Sequence, residues 1–139
     1  MRRHVLVFSI RTAGEPAAVG ELRERVEIAL GCGFLEGSFN RTPALVTEIL
    51  GMQVGLFGWR GRGGTGVIRL DGQLGESRLF DYAGDDVPEI DFIDIGRAVI
   101  DLLKVRGAGD WYVPDALDLQ AEEAYGAQVE RSFYAGPEE

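Results

Sequence analysis

The residues of this chain best suited to chemistry are the glycines and arginines at 58–66 and the acids at 81–94. The segment GWRGRGGTG, Gly58 to Gly66, packs five glycines, two arginines and a tryptophan into nine residues. Its last six residues spell GxGxxG, the spacing with which a glycine-rich turn brings backbone amides up to a pyrophosphate. Such a turn must come after a strand and open a helix, so that the helix N-terminus holds the anion. The next residues here, Val67-Ile68-Arg69-Leu70-Asp71-Gly72, read as a strand. A hairpin connection is therefore expected, although Asp85 and Asp86 stand about twenty residues on, where a ribose-binding acid would lie.

The same loop offers a protein-binding chemistry. Gly61, Gly63 and Gly64 permit positive φ, and Arg60 and Arg62 carry cations that no acid nearby in sequence neutralises. A loop of this kind can grip an anion through its amides or enter a partner's cleft, with Trp59 as the anchor, because tryptophan and arginine are enriched at interface hot spots. Trp111 and Tyr112 form a second aromatic candidate.

Asp85, Asp86, Glu89, Asp91 and Asp94 fall within ten positions, with Asp81 just before them. Carboxylate oxygens suit Mg²⁺ or Ca²⁺, but the spacing matches no EF-hand loop. Acids gathered ahead of a helix also stabilise its N-terminal amides and dipole, so no metal is expected and Asp91 is the expected cap. The single histidine, His4, and the single cysteine, Cys32, leave no nucleophile, base and orienter set, and there is no GxSxG elbow. No catalytic residue and no cofactor is expected. Cys32 is expected to be a small buried hydrophobe, and structural zinc lacks its ligands.

The net charge of −9 disfavours nucleic acid and anionic membranes and speeds encounter with a basic partner. One cysteine allows no internal disulfide, and nothing else indicates secretion. Met1-Arg2-Arg3 leads into an apolar run that stops at Ser9-Ile10-Arg11, too short for a signal peptide, so a cytoplasmic first strand is expected. No run of about eighteen apolar residues exists to cross a membrane as a helix.

Periodicity gives the secondary structure around these residues. His4 to Arg11 is apolar and β-rich, which predicts a central strand covered on both faces. Ala18, Val19, Leu22, Val26, Ala29 and Leu30 predict a helix over about 15–30, started by Pro16, supported by Glu21 and Arg25, and stopped at Gly31 and Gly33. Phe34 to Asn40 has loop or short-strand character. Thr42-Pro43 and Gly51 bracket Leu45, Val46, Ile49 and Leu50, which predicts a short helix, although Val46, Thr47 and Ile49 also suit a strand. From Met52 the period is two, and Val67–Asp71 and Arg78–Tyr82 continue an antiparallel meander. A helix is expected from Phe92 to about Arg106, and a last one from the cap Asp115 to about Ser132, weakened at Gly126.

These elements make one α+β domain over 1–135, a mainly antiparallel sheet of about four strands packed by three or four helices, with a disordered tail at 136–139. The function expected is a non-catalytic acidic protein-binding domain, of the type of an immunity inhibitor of a basic toxin or enzyme. Trp59, Arg60, Arg62, Asp81, Asp85, Asp86, Glu89, Asp91, Trp111 and Tyr112 are its candidate contacts. The alternative is a small-molecule or nucleotide-binding domain built on Gly61–Gly66, enzymatic through Asp85 or Asp86.

Overall fold

The computed structural model describes residues 4–75 and 94–135. The period-two pattern that fills most of the first 75 residues becomes five antiparallel strands: β1 (His4–Ala13), β2 (Leu35–Phe39), β3 (Thr42–Ile49), β4 (Met52–Arg60) and β5 (Gly66–Gly75). They form a single sheet in the order β1-β5-β4-β3-β2. A 3-10 turn at Pro16–Ala18 leads into α1 (Val19–Leu30), and α2 (Gly96–Val105) and α3 (Ala116–Ala135) come after the sheet.

Alternation sorts the strands into two faces. On one, Phe8 and Ile10 of β1, Val54 and Leu56 of β4, and Ile68 and Leu70 of β5 are buried against Val26 and Ala29 of α1 and Val99 and Leu103 of α2. Full burial of each large apolar side chain is worth roughly 1.5–3 kcal/mol, so this layer holds most of the folding energy. Alternation puts Gly72 on the same face, and glycine is required there because an added Cβ would sit 2.3 Å from Phe8 Cε1. The opposite face carries Arg11, Phe57, Trp59, Arg69, Asp71 and Gln73, and α3 packs against it.

Helix ends are set by local chemistry. Gly31 takes φ 69°, and its N–H reaches Glu27 O at 2.9 Å, ending α1 as glycine does at a left-handed C-terminus. The Asp94 carboxylate accepts the Gly96 N–H at 2.8 Å ahead of α2. Asp115 and Asp118 cap α3 reciprocally: Asp118 N–H donates to Asp115 Oδ1 at 2.8 Å, and Asp115 N–H to Asp118 Oδ2 at 3.0 Å.

Several expectations are corrected. Residues 42–49 are strand β3, not a helix, and 35–39 are a strand as well, so the described residues alone supply five strands where about four were expected. Two-residue turns decide this: Asn40 and Arg41 have φ 48° and 69°, and Leu50 and Gly51 have 51° and 79°, the left-handed pairs that close hairpins. Pro43 is tolerated because it faces Ser38 next to the closing pair Phe39–Thr42, where the alternation asks no N–H of it. On its other side the pairing with β4 begins only at Leu45.

Among the described residues β1 lies at one end of the strand order rather than at its centre, and its rim is closed. Ile95 N–H donates to Val7 O at 3.1 Å, and Arg11 and Tyr112 exchange backbone hydrogen bonds of 2.9 and 2.8 Å. α2 starts at Gly96, so a helix continuous from Phe92 is ruled out by the non-helical Asp94 and Ile95. α3 runs unbroken through Gly126. The ion pair along α1 joins Arg23 and Glu27, 3.6 Å apart. The expected strand Arg78–Tyr82, the cap Asp91 and the tail 136–139 lie outside the described residues.

Candidate functional site

The Gly61–Gly66 segment joins β4 to β5 as a hairpin, with a 3-10 turn at Arg62–Gly64 and no α-helix opening from it. Gly63 and Gly64 take φ 62° and 75°, conformations that make the tight turn possible. Three of its amides are used within the loop: Gly61 N–H to Thr65 O at 2.9 Å, Gly64 N–H to Gly61 O at 3.1 Å, and Thr65 N–H to Arg62 O at 3.0 Å. These donors are therefore not turned toward an outside anion.

The two loop cations have acidic partners that are distant in sequence. Arg60 donates to Gly64 O at 2.9 Å and lies 3.3 Å from Glu15 Oε2. Arg62 bonds Asp115 and places Nε 2.8 Å from Asp118 Oδ1, tying the hairpin tip to the first turn of α3. The Arg62 hydrogen bond, and after it the Asp118 N–H, holds the Asp115 carboxyl below the usual carboxylate range. The Asp115 bond in turn raises the already high Arg62 value.

Trp59 anchors this corner from inside. Its indole N–H donates to Glu122 O at 3.0 Å, and its ring meets Tyr125 edge-on at 5.0 Å and Phe57 at 5.9 Å. Gly126 lets the facing turn of α3 come close to the ring, since a Cβ there would lie a tight 3.1 Å from Trp59 Cζ2. The ladder continues from Phe57 to Phe39 at 6.1 Å. Gly55 leaves the space for that ring, as a Cβ would come within 2.6 Å of Phe39 Cγ. Asn40 and Gln73 exchange side-chain amide bonds of 2.9 and 2.8 Å beside it, so the β2–β3 hairpin curls over this half of the face.

Between hairpin and helix lies a buried charge cluster that sequence reasoning missed. The Arg11 guanidinium is 1% exposed, and the Asp71 and Glu122 side chains are each 4% exposed. Arg11 Nε donates to both Glu122 oxygens at 2.9 Å, and Nη1 reaches Ser9 Oγ at 2.8 Å and Asp71 Oδ1 at 3.1 Å. Arg69 lies 2.7 Å from Asp71 Oδ2 and 3.7 Å from Glu122 Oε1, with its guanidinium carbon 4.9 and 5.5 Å from the Phe57 and Trp59 ring centroids. Two cations balance two anions, which is what makes their burial tolerable. Glu122 is the residue through which α3 joins the cluster, so the arrangement docks the helix in one register.

Of the expected contacts, then, Trp59, Arg60 and Arg62 meet at the β4–β5 hairpin and bind other parts of the chain. Trp111 belongs to the core, with its indole N–H donating to Ala108 O at 2.9 Å. Tyr112 beside it is 39% exposed, and Val113, Leu117 and Leu119 come after it as exposed apolar residues. Burial, then the charges of Asp118 and Glu122, push the Tyr112 phenol up. Asp81, Asp85, Asp86, Glu89 and Asp91 lie outside the described residues. Cys32 is half-buried, and burial together with the weaker effect of the Glu27 charge raises its thiol, which opposes formation of the nucleophilic thiolate. Among the described residues no three His, Cys, Asp or Glu side chains gather as a metal site.

The cluster had a signal in the sequence. Ser9 and Arg11 alternate with Phe8 and Ile10, and Arg69, Asp71 and Gln73 alternate with Ile68, Leu70 and Gly72. That is a second, polar face shared by two neighbouring strands. Comparison with known proteins returns no matching family model, no matching curated protein and no matching solved structure.

Proposed function

We propose that this chain is a non-catalytic acidic binding domain whose partner is a basic protein, in the manner of an immunity-type inhibitor that neutralises a basic toxin or enzyme in the cytoplasm. The observation that supports it is how charge is distributed. Arg11, Arg23, Arg60, Arg62 and Arg69, five of the chain's fourteen basic residues, are ion-paired within the fold. Residues 76–93, by contrast, hold six acids and one arginine, a net −5 of the chain's −9. A concentrated negative segment steers basic partners and repels nucleic acid. Among the described residues no helix is long and apolar enough to cross a membrane.

The test is capture on the immobilised full chain from extracts of the source cell, at low and high salt, and then isolation of the complex. One basic protein should be recovered in equimolar amount at low salt, and Asp85→Asn with Asp86→Asn should slow its association there while mattering little at high salt. Absence of any stoichiometric basic partner, or a nucleotide co-purifying with the chain, would overturn the proposal.

A further inference from the structure

The two edges of the sheet are treated differently. β1 is closed by Ile95 and by the Arg11–Tyr112 bridge, whereas nothing among the described residues lies along β2. The segment 76–93 leaves and rejoins the described chain at Gly75, opposite His4, and at Asp94, next to the Ile95 that bonds Val7, so both of its anchors lie on the β1 side. β2 also lacks the usual protections of an edge. Leu35-Glu36-Gly37-Ser38-Phe39 has no lysine, proline or bulge, four of its five residues are exposed, and Leu35 is 73% exposed.

Its open backbone groups can be assigned. Phe39–Thr42 closes a two-residue turn and is a hydrogen-bonded pair, so Gly37–Ala44 and Leu35–Val46 are too. Glu36 and Ser38 then point their N–H and C=O away from β3. Phe34, the next residue of that parity, agrees with this direction. Its N–H donates to Glu27 Oε2 at 2.7 Å and its carbonyl accepts from Arg23, both on α1. The outward groups at 34 are therefore closed by the helix, and those at 36 and 38 meet no partner among the described residues.

We infer that β2 is a homodimer edge, pairing antiparallel with β2 of a second copy about a two-fold axis at Gly37. In this register Glu36 of each copy faces Ser38 of the other, and all four open groups of each strand are used in four hydrogen bonds. Leu35 of one copy faces Phe39 of the other on one side of the sheet, which becomes continuous over ten strands. Centring on Glu36 instead would oppose two like charges and set Ser38 against Phe34, whose groups α1 already holds. Centring on Ser38 would set Glu36 against Asn40, which is in the turn. Of these three two-fold registers, only the one at Gly37 uses every outward group at 36 and 38 without opposing like charges. The strands are short and each copy carries −9, so the dimer is weak and tightens as salt screens the repulsion.

Sedimentation of the full chain from about 5 to about 500 µM, at about 0.05 and about 0.5 M NaCl, tests this. A monomer–dimer equilibrium that strengthens with salt is expected, with exchange of the Glu36 and Ser38 amides slowing as concentration rises. Ser38→Pro removes an N–H that bonds nothing among the described residues of the monomer, and Leu35→Lys replaces an exposed apolar side chain. Each should weaken the dimer at least about tenfold. Leu35→Lys carries the test alone if Ser38→Pro fails to fold by circular dichroism. A parent chain that stays monomeric at the highest concentration and salt, or a dimer that both folded variants leave unchanged, would overturn the inference.

Discussion

Replacing Glu122 with glutamine should be among the most damaging polar substitutions available in this chain. The carboxylate accepts Arg11 Nε at 2.9 Å on both oxygens, lies 2.9 Å from Arg11 Nη2 and 3.7 Å from Arg69 Nη1, and is 4% exposed. Glutamine keeps the shape but leaves two guanidinium groups to share the single carboxylate of Asp71. Removing one partner of a buried ion pair typically costs about 3–5 kcal/mol, against about 5–15 kcal/mol for the stability of an average domain. With a urea slope of roughly 1–3 kcal/mol/M, the unfolding midpoint should fall by about 1–5 M. Tryptophan fluorescence reports on the same site, because Trp59 packs on the turn of α3 that carries Glu122. The companion variant combines Arg11→Met with Glu122→Leu and leaves Arg69 paired with Asp71 at 2.7 Å. It should be more stable than either single change, giving a coupling energy of at least about 2 kcal/mol. A loss below about 1 kcal/mol for Glu122→Gln, or a double variant whose loss is the sum of the singles, would refute the view that the cluster is a desolvated, charge-balanced unit.

Three further outcomes are expected. Gly55→Val should displace Phe39 and loosen the β2–β3 hairpin, seen as faster amide exchange at Asn40 to Thr42, because the added Cβ meets the ring at 2.6 Å; unchanged protection would count against the curled-hairpin packing. Gly126→Ala would ordinarily stabilise a helix interior by about 0.5–1 kcal/mol, but crowding against Trp59 at 3.1 Å should remove that gain, and a full gain in a denaturation curve would show the contact to be slack. Asp115 has a lowered pKa in the folded state, so its pairing stabilises above the usual carboxylate range and is lost as pH falls through the lowered value. The small stability gap between the parent and Arg62→Ala should therefore close on acidification, and a gap independent of pH would assign Arg62 another role.

The elements legible in the sequence are those with a sustained period and clear end signals. Periodicity places α1 and β4 close to their true positions through Val26 and Ala29 and through Val54 and Leu56, and the Asp115 cap does the same for α3. Residues 42–49 are harder. Thr42, Pro43 and a closing glycine mimic helix punctuation, and what separates the alternatives is a pair of left-handed turns at Asn40–Arg41 and Leu50–Gly51. Only glycine or asparagine advertises that conformation, and Arg41 and Leu50 do not. The position of β1 at an edge is hidden for a different reason. Its rim is covered by Ile95 and Tyr112, which come more than eighty residues later, so in sequence terms its burial looks like that of a central strand. The site is the least legible part, since the partners of Arg60 and Arg62 are Glu15, Asp115 and Asp118, and proximity in sequence says nothing about them.

Those distant pairings bear on how a partner can be held. An interface hot spot needs an aromatic or arginine that is free to be desolvated by the partner. Trp111 lies in the core, while Trp59, Arg60 and Arg62 are committed to α3, Glu15 and the hairpin itself. Among the described residues the aromatic that stays exposed is Tyr112, at 39%, with exposed Val113 and Leu117 after it in sequence and the Asp115–Asp118 pair that Arg62 holds. Under the proposed binding function, the anchor therefore moves from Trp59 to Tyr112, because a residue that already spends its ring and its N–H inside the fold has little left to offer outside it. Tyr112→Ala should then speed dissociation of the complex, whereas Trp59→Ala should act first on stability, by loosening α3. Dissociation that responds to Trp59→Ala in a variant with unchanged unfolding midpoint would reverse that order and return the anchor to the hairpin.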